Sequence, residues 1–158
     1  MEKIFIENTK KDILLKKAFE EVNLKYEDCI IEKNKYGKPY IRNKKNIFYN
    51  ISHSKEKVAI IISNVEVGID IEKIRDIDYD KIIKKIFLKE EIDFIMSIEN
   101  KNEKLKNFFK IWTKREAYSK CIGVGLSLPL NKIYNKNIKL YELQIGDEYV
   151  GFYAKKYS

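Results

Sequence analysis

The sequence predicts an α+β fold, and three observations lead there. β-rich runs crowd the first half, at 47–52, 57–63 and 65–72. Helical spacing takes over at 79–98 and 103–121. Strand-like runs return at 131–134, 137–145 and 148–155. Strands, then helices, then strands again fit a compact mixed fold better than a bundle or a sandwich. The order allows two related halves meeting near residue 65, although sequence identity between them is too low to establish a duplication.

Residues 3–7 read as a short strand. Ile13, Leu14, Lys17, Ala18 and Val22 fall at helical spacing, which predicts a helix over 10–22. Residues 28–32 read as a strand, and Tyr36-Gly37-Lys38-Pro39-Tyr40 as a turn. The runs at 47–52 and 57–63 flank a polar stretch, His53–Glu56, as in a hairpin or a bent crossing. Val65 to Glu72 alternates like a strand. The helical pattern at 79–98 reads as two short helices broken near Leu88. Leu105, Phe108, Phe109, Trp112 and Ala117 form the apolar side of the longest helix, which Gly123 and Gly125 stop. Gly146-Asp147 reads as a hairpin turn between the last two strands.

Composition narrows the class. The chain has 158 residues, 44% hydrophobic and 13% aromatic, enough for a packed core and against disorder. No apolar run approaches the roughly 20 residues of a membrane span, and the start lacks the apolar stretch and cleavage site of a secretory signal. Cys29 and Cys121 are isolated, which argues against a disulfide scaffold or a zinc site and for a reducing cytoplasm. The net charge of +8 favours an acidic partner. The 29 Lys, 3 Arg, 26 Ile and 13 Asn point to a broad compositional bias, with basic residues scattered among acids rather than drawn into a stripe. A nucleic-acid binder is therefore the weaker reading, because such proteins tend to carry Arg-rich stripes.

Three stretches could carry chemistry. In Gly68-Ile69-Asp70-Ile71-Glu72, residues two apart share a strand face, so Asp70 and Glu72 project together and Gly68 leaves room beside them. A bound cation would relieve their repulsion, and Mg²⁺ suits one or two carboxylates plus phosphate oxygens. A solvated acidic strand face accounts for the same pair. In Trp112 through Lys120, a helix puts Trp112, Glu116 and Lys120 along one side, able to hold a metal and steady a phosphate. An ordinary surface Glu–Lys pair, at about 0.3–0.5 kcal/mol, explains it equally. The third stretch is Asn50-Ile51-Ser52-His53-Ser54, which holds the single His of the chain at a strand end. There His53, the Ser52 hydroxyl and backbone amides could bind phosphate.

Taken in order, these stretches and two more resemble a known pattern. Gly37-Lys38-Pro39, Asn50-Ile51-Ser52-His53-Ser54, Gly68-Ile69-Asp70-Ile71-Glu72, Trp112 through Lys120, and Gly123-Val124-Gly125-Leu126-Ser127-Leu128-Pro129 follow the 4′-phosphopantetheinyl transferase superfamily, surfactin-synthetase-activating type. The resemblance runs from about residue 10 to about residue 135. It implies two similar α/β halves forming a pseudodimer, 1–65 on the coenzyme A nucleotide side and 66–158 on the metal and catalytic side, with the site in the cleft between. It implies transfer of the 4′-phosphopantetheine arm of coenzyme A to a serine of an apo acyl or peptidyl carrier protein, releasing adenosine 3′,5′-bisphosphate. Asp70, Glu72 and Glu116 would bind Mg²⁺ or Mn²⁺. Lys120 would contact the pyrophosphate and help the leaving phosphate depart. His53 would bind the 3′-phosphate, with Lys38 and Ser52 near the adenine, and Arg115 would share in the phosphate contacts. Glu116 and Glu91 are the carboxylates expected to take the serine proton, with Glu91 or a water preferred because a metal-bound carboxylate is a poor base. Phe87, Leu88 and Phe94 would offer apolar contacts to the carrier.

The chain also departs from the pattern. The region ahead of the helix at 10–22, which in the family supplies basic contacts to the 3′-phosphate, is nearly absent, and Lys10 and Lys11 stand where they could substitute. Arg115 replaces a usual Lys, a planar fork for a point charge. The expected protein is a cytoplasmic monomer without affinity for membranes or nucleic acid. The alternatives are the short trimeric holo-carrier synthase type, against which the Asn50–Ser54 motif argues, and a non-catalytic module that binds carrier or nucleotide.

Overall fold

The structure, a computed structural model, describes residues 1–125 and 136–157. Two three-stranded antiparallel sheets form its centre. The first orders β1 (Glu2–Asn8), β5 (Lys57–Ser63) and β4 (Phe48–Ser54). The second orders β6 (Val67–Lys73), β8 (Tyr149–Lys156) and β7 (Ile138–Glu142). Both follow one rule: the opening strand pairs with the last strand of its stretch, and that last strand with the one before it. A small two-stranded ribbon, β2 (Ile31–Lys33) with β3 (Pro39–Ile41), follows a 3₁₀ turn at Tyr26–Asp28. The helices are α1 (Lys11–Glu20), α2 (Asp80–Ile86), α3 (Lys89–Ser97) and α4 (Lys101–Ile122).

Alternation along β5 explains the layering. Val58, Ile60 and Ile62 face Leu14, Leu15, Ala18 and Phe19 of α1, while Ala59 and Ile61 face Val67, Ile69 and Ile71 of β6. A strand buried on both faces reads as an unbroken apolar run, which is why 58–62 lacks polar positions. On the far side α4 covers the second sheet, burying Ala117 and Cys121 against Ile138 and Ala154. A separate core joins α2, α3 and α4 around Ile83, Phe87, Ile95, Phe108 and Phe109. There the rings of Tyr79, Phe87 and Trp112 all stack on Phe108.

Local signals placed most elements, with adjustments. The β4–β5 turn is only Lys55-Glu56, with Lys55 at φ 54, so His53 stands on the strand rather than in the turn. The 28–32 strand starts later, because Tyr26–Asp28 is helical. The break near Leu88 is the N-cap of α3, where Glu91 accepts from the Leu88 amide at 2.9 Å. Gly123 ends α4 at φ 78. The last hairpin is wider than a two-residue turn, since β7 stops at Glu142 and β8 starts at Tyr149. The strand expected over 131–134, and Leu126 to Pro129 of the last motif, lie outside the described residues. No helix among the described residues is long and apolar enough to cross a membrane.

Candidate active site

The site begins at Gly68. A Cβ there would lie 2.1 Å from the Ala117 carbonyl oxygen and 2.3 Å from the Cys121 amide. The room expected beside Gly68 is therefore filled by the backbone of α4, which lies directly on β6. Asp70, two residues on and on the same face, meets Lys120 of that helix. Lys120 Nζ stands 2.7 Å from Asp70 Oδ1 and 3.2 Å from the Ile69 carbonyl. Asp70 is 6% exposed, and Ser52 also donates to Oδ1, at 3.0 Å. Its other oxygen, Oδ2, is buried and has no hydrogen-bond partner among the described residues. Burial pushes the Asp70 carboxyl up; Lys120 and Ser52 oppose this and Glu72 adds to it.

Glu72 is held through Oε2, by Arg75 at 2.7 Å and by the Ser54 hydroxyl at 2.9 Å. Glu116, one turn before Lys120, has no ion pair among the described residues. Its carboxyl is pushed up to about 7, first by burial and then by the charge of Asp70, with Lys120 opposing and Glu72 adding. The three expected carboxylates thus feel one another across the β6–α4 contact. They do not form a closed cup: among the described residues no three carboxylate, His or Cys side chains are gathered as a ligand set. Lys120 and Arg75 compensate Asp70 and Glu72 instead. The donor set still fits a hard divalent ion. It offers carboxylate oxygens only, one of them buried and without a partner among the described residues, with a third carboxyl that makes no ion pair among them.

A cavity of about 230 Å³ is lined by Glu116 and Lys120, with Gly37, Lys38 and Asn50 among others; Asp70 and Glu72 are not on its wall. A second, of about 350 Å³, adjoins it across Lys38 and Pro39 and carries Arg42, Lys44 and Lys45 on its wall.

The other expected residues divide. Lys38 lines both cavities, but its ammonium bonds Glu66 at 2.5 Å and the Cys121 carbonyl at 2.8 Å. With Asn34 donating to the Gly123 carbonyl at 2.9 Å, it caps the C-terminus of α4. Ser52 is 5% exposed, and its hydroxyl is engaged by Asp70 and by the Ile71 amide. His53 is exposed and makes no hydrogen bond among the described residues. Arg115, expected among the phosphate contacts, is 6% exposed, bonds Glu91 through Nε and Nη2, and lies over the Phe87 ring. Glu91, favoured as the proton acceptor, has its Oε2 taken by Arg115 and by the Leu88 amide, and does not line the cavity. A planar fork and a carboxylate pair across α3 and α4, and neither lines the cavity. Phe87 is buried, whereas Leu88 and Phe94 are 40% and 50% exposed. Lys10 and Lys11 are exposed at the start of α1.

Sequence reasoning missed the partners of the two strand carboxylates. Ser52, Ser54 and Arg75 all touch them, and only Arg75, three residues after Glu72, had a local signal. Asn50 also went unread: it accepts from the Ile69 amide at 2.9 Å.

Comparison with known proteins shows the family. The family model for the 4′-phosphopantetheinyl transferase superfamily matches residues 66–157. The 4′-phosphopantetheinyl transferase gsp of Aneurinibacillus migulanus is 40% identical over 124 residues, covering 78% of this chain and 51% of its own. The 4′-phosphopantetheinyl transferase Sfp of Bacillus subtilis (strain 168) is 30% identical over 153 residues, covering 93% and 66%. The 4′-phosphopantetheinyl transferase ffp of Bacillus subtilis is 33% identical over 132 residues, covering 83% and 57%. The chain spans about half to two-thirds of the length of these relatives. The family match covers the whole stretch that carries Asp70, Glu72, Glu116 and Lys120, and the chain belongs to the 4′-phosphopantetheinyl transferase superfamily.

Proposed function

We propose that this chain transfers the 4′-phosphopantetheine arm of coenzyme A to a serine hydroxyl of an apo acyl or peptidyl carrier protein, with adenosine 3′,5′-bisphosphate as the leaving group. The observation that carries this reading is the docking of α4 on Gly68, by which Lys120 meets Asp70 and Lys120 and Glu116 line a cavity. Asp70, Glu72 and Glu116 would hold Mg²⁺ or Mn²⁺. Such an ion bound to a diphosphate neutralises the charge that builds on the leaving group. Lys120 supplies a second positive charge on the same wall, within reach of a bound pyrophosphate once Asp70 has another partner. The serine oxygen attacks phosphorus as the bond to the nucleotide phosphate breaks, and the serine proton must go to a base. Glu91 does not line the cavity and Glu116 would be held by the metal, which supports a water in the cavity as the acceptor. Lys38 and Asn50, which line the same cavity, would bound the space for the nucleotide, and exposed His53 is free to meet its 3′-phosphate.

The carrier is an acidic partner: a net charge of +8 speeds encounter with one. Exposed Leu88, Phe94 and Met96 near α3 offer it apolar contacts. We read the working protein as a cytoplasmic monomer: Asn50 of β4 and Glu116 and Lys120 of α4 line one cavity, and its isolated cysteines suit a reducing compartment. The test is to incubate the protein with coenzyme A, Mg²⁺ and an apo carrier and weigh the intact carrier. A gain equal to the phosphopantetheine arm, abolished by EDTA, is expected. No gain across fatty-acid, polyketide and peptide carriers sinks the reading, and gel filtration of a trimer would overturn the monomer.

A further inference from the structure

We propose that the Asn50–Ser52–Ser54 face of β4 is a positioning device for the β6 carboxylates, through which the first half of the chain sets divalent-cation affinity in the second. This rests on the metal-binding reading given above.

The three residues alternate along β4 and therefore share one face. Each accepts one amide of β6 at a constant offset: Ile69 to Asn50 at 2.9 Å, Ile71 to Ser52 at 3.2 Å, Lys73 to Ser54 at 3.0 Å. A hydroxyl has one proton and two lone pairs. With an amide on the oxygen, the proton is free to point at what lies beside it. For Ser52 that is Asp70 Oδ1 at 3.0 Å, and for Ser54 it is Glu72 Oε2 at 2.9 Å. The matching place beside Asn50 holds Gly68, which has no carboxylate, and there the chain uses a carboxamide. Hydroxyls stand where acids stand.

The consequence falls on single atoms. Ser52 and Lys120 both bind Oδ1 of Asp70, and Oδ2 is left buried and bare. Ser54 and Arg75 both bind Oε2 of Glu72. Each carboxylate is pinned by one oxygen, so its plane is fixed while the other oxygen stays available to a cation. Groups that orient metal-binding carboxylates in this way typically change affinity 10- to 100-fold when removed.

The experiment titrates Mn²⁺ by electron paramagnetic resonance of the free ion, using wild type, Ser52→Ala, Ser54→Ala and Ser54→Thr, each checked for folding by circular dichroism. The alanine variants should bind Mn²⁺ about 10- to 100-fold more weakly. Ser54→Thr, which keeps the hydroxyl, should bind like wild type. Metal-free binding of adenosine 3′,5′-bisphosphate should not move in Ser54→Ala; if it weakens there, Ser54 acts on the nucleotide and the proposal falls. Unchanged Mn²⁺ affinity in folded alanine variants overturns the proposal alone. Wild type that binds no Mn²⁺ overturns the metal reading beneath it. If the alanine variants do not fold, hydrogen exchange of the wild type decides: Mn²⁺ or Mg²⁺ should slow exchange at the Ile71 and Lys73 amides, and saturation with no change there rejects the coupling.

Discussion

Along its free edge β6 is held by side chains, with Asn50, Ser52 and Ser54 each reaching one amide. Across its face it is held by main chain, with the backbone of α4 seated on Gly68. The first contact is directional and made of separable bonds, each worth about 0.5–1.5 kcal/mol net. The second is steric and has no graded form, because packed backbone cannot yield to an added carbon. The carboxylates lie between the two contacts. One contact sets how near Glu116 and Lys120 come, and the other sets how Asp70 and Glu72 are turned.

The sharpest way to break this contrast is Gly68→Ala. The new methyl meets three backbone atoms, so α4 must lift, and the cost should exceed about 3 kcal/mol. Urea denaturation reads it, and a variant as stable as wild type would show that α4 does not rest on β6. Asn50→Ala removes one bond of the edge and leaves the buried Ile69 amide without its acceptor. A loss of about 1–3 kcal/mol is expected, with the fold intact, by the same assay. Glu91→Gln lies outside both contacts. It weakens the bonds to Arg115 by about 1 kcal/mol and should leave the transfer rate nearly unchanged. A large fall in rate at unchanged stability would return Glu91 to the reaction.

The smallest effect is a pH dependence. Burial and the neighbouring carboxylates raise the Glu116 carboxyl from 4.5 to about 7 in the folded protein. The folded chain then holds this proton more tightly than the unfolded one, so its contribution to stability is complete below pH 4.5 and is lost as pH rises through about 7. In EDTA, the melting temperature of wild type should fall across that window more than that of Glu116→Gln. Equal slopes would mean that Glu116 does not feel the β6 carboxylates.

The sequence was readable where the signal was local. Alternation gave away the strands, helical spacing placed Glu116 one turn from Lys120, and Gly68 marked a close approach without naming what approached. The readings that changed depended on partners far along the chain. The Ser52 hydroxyl looks open to a phosphate until β6 is laid beside β4, and the Ile71 amide, 19 residues on, and Asp70 are found on it. Arg115 looks like a phosphate fork until α3 brings Glu91 to it, 24 residues back. Lys38 sits in the expected motif, yet its ammonium caps a helix whose end lies 83 residues away. A side chain's chemistry can be read from its type, but its partner is chosen by tertiary register.

The β4–β6 seam has a consequence for solubility. A bare strand margin is a template on which a second molecule can add a strand. Both sheets end at this seam, and the amides of Ile69, Ile71 and Lys73 are the groups an intruding chain would seek. Short polar side chains cover them without extending the ladder, so two margins that could recruit neighbours quench each other within one molecule. The outer margin on β1, with Glu2, Lys3 and Glu7 along it, is left to charge for its defence.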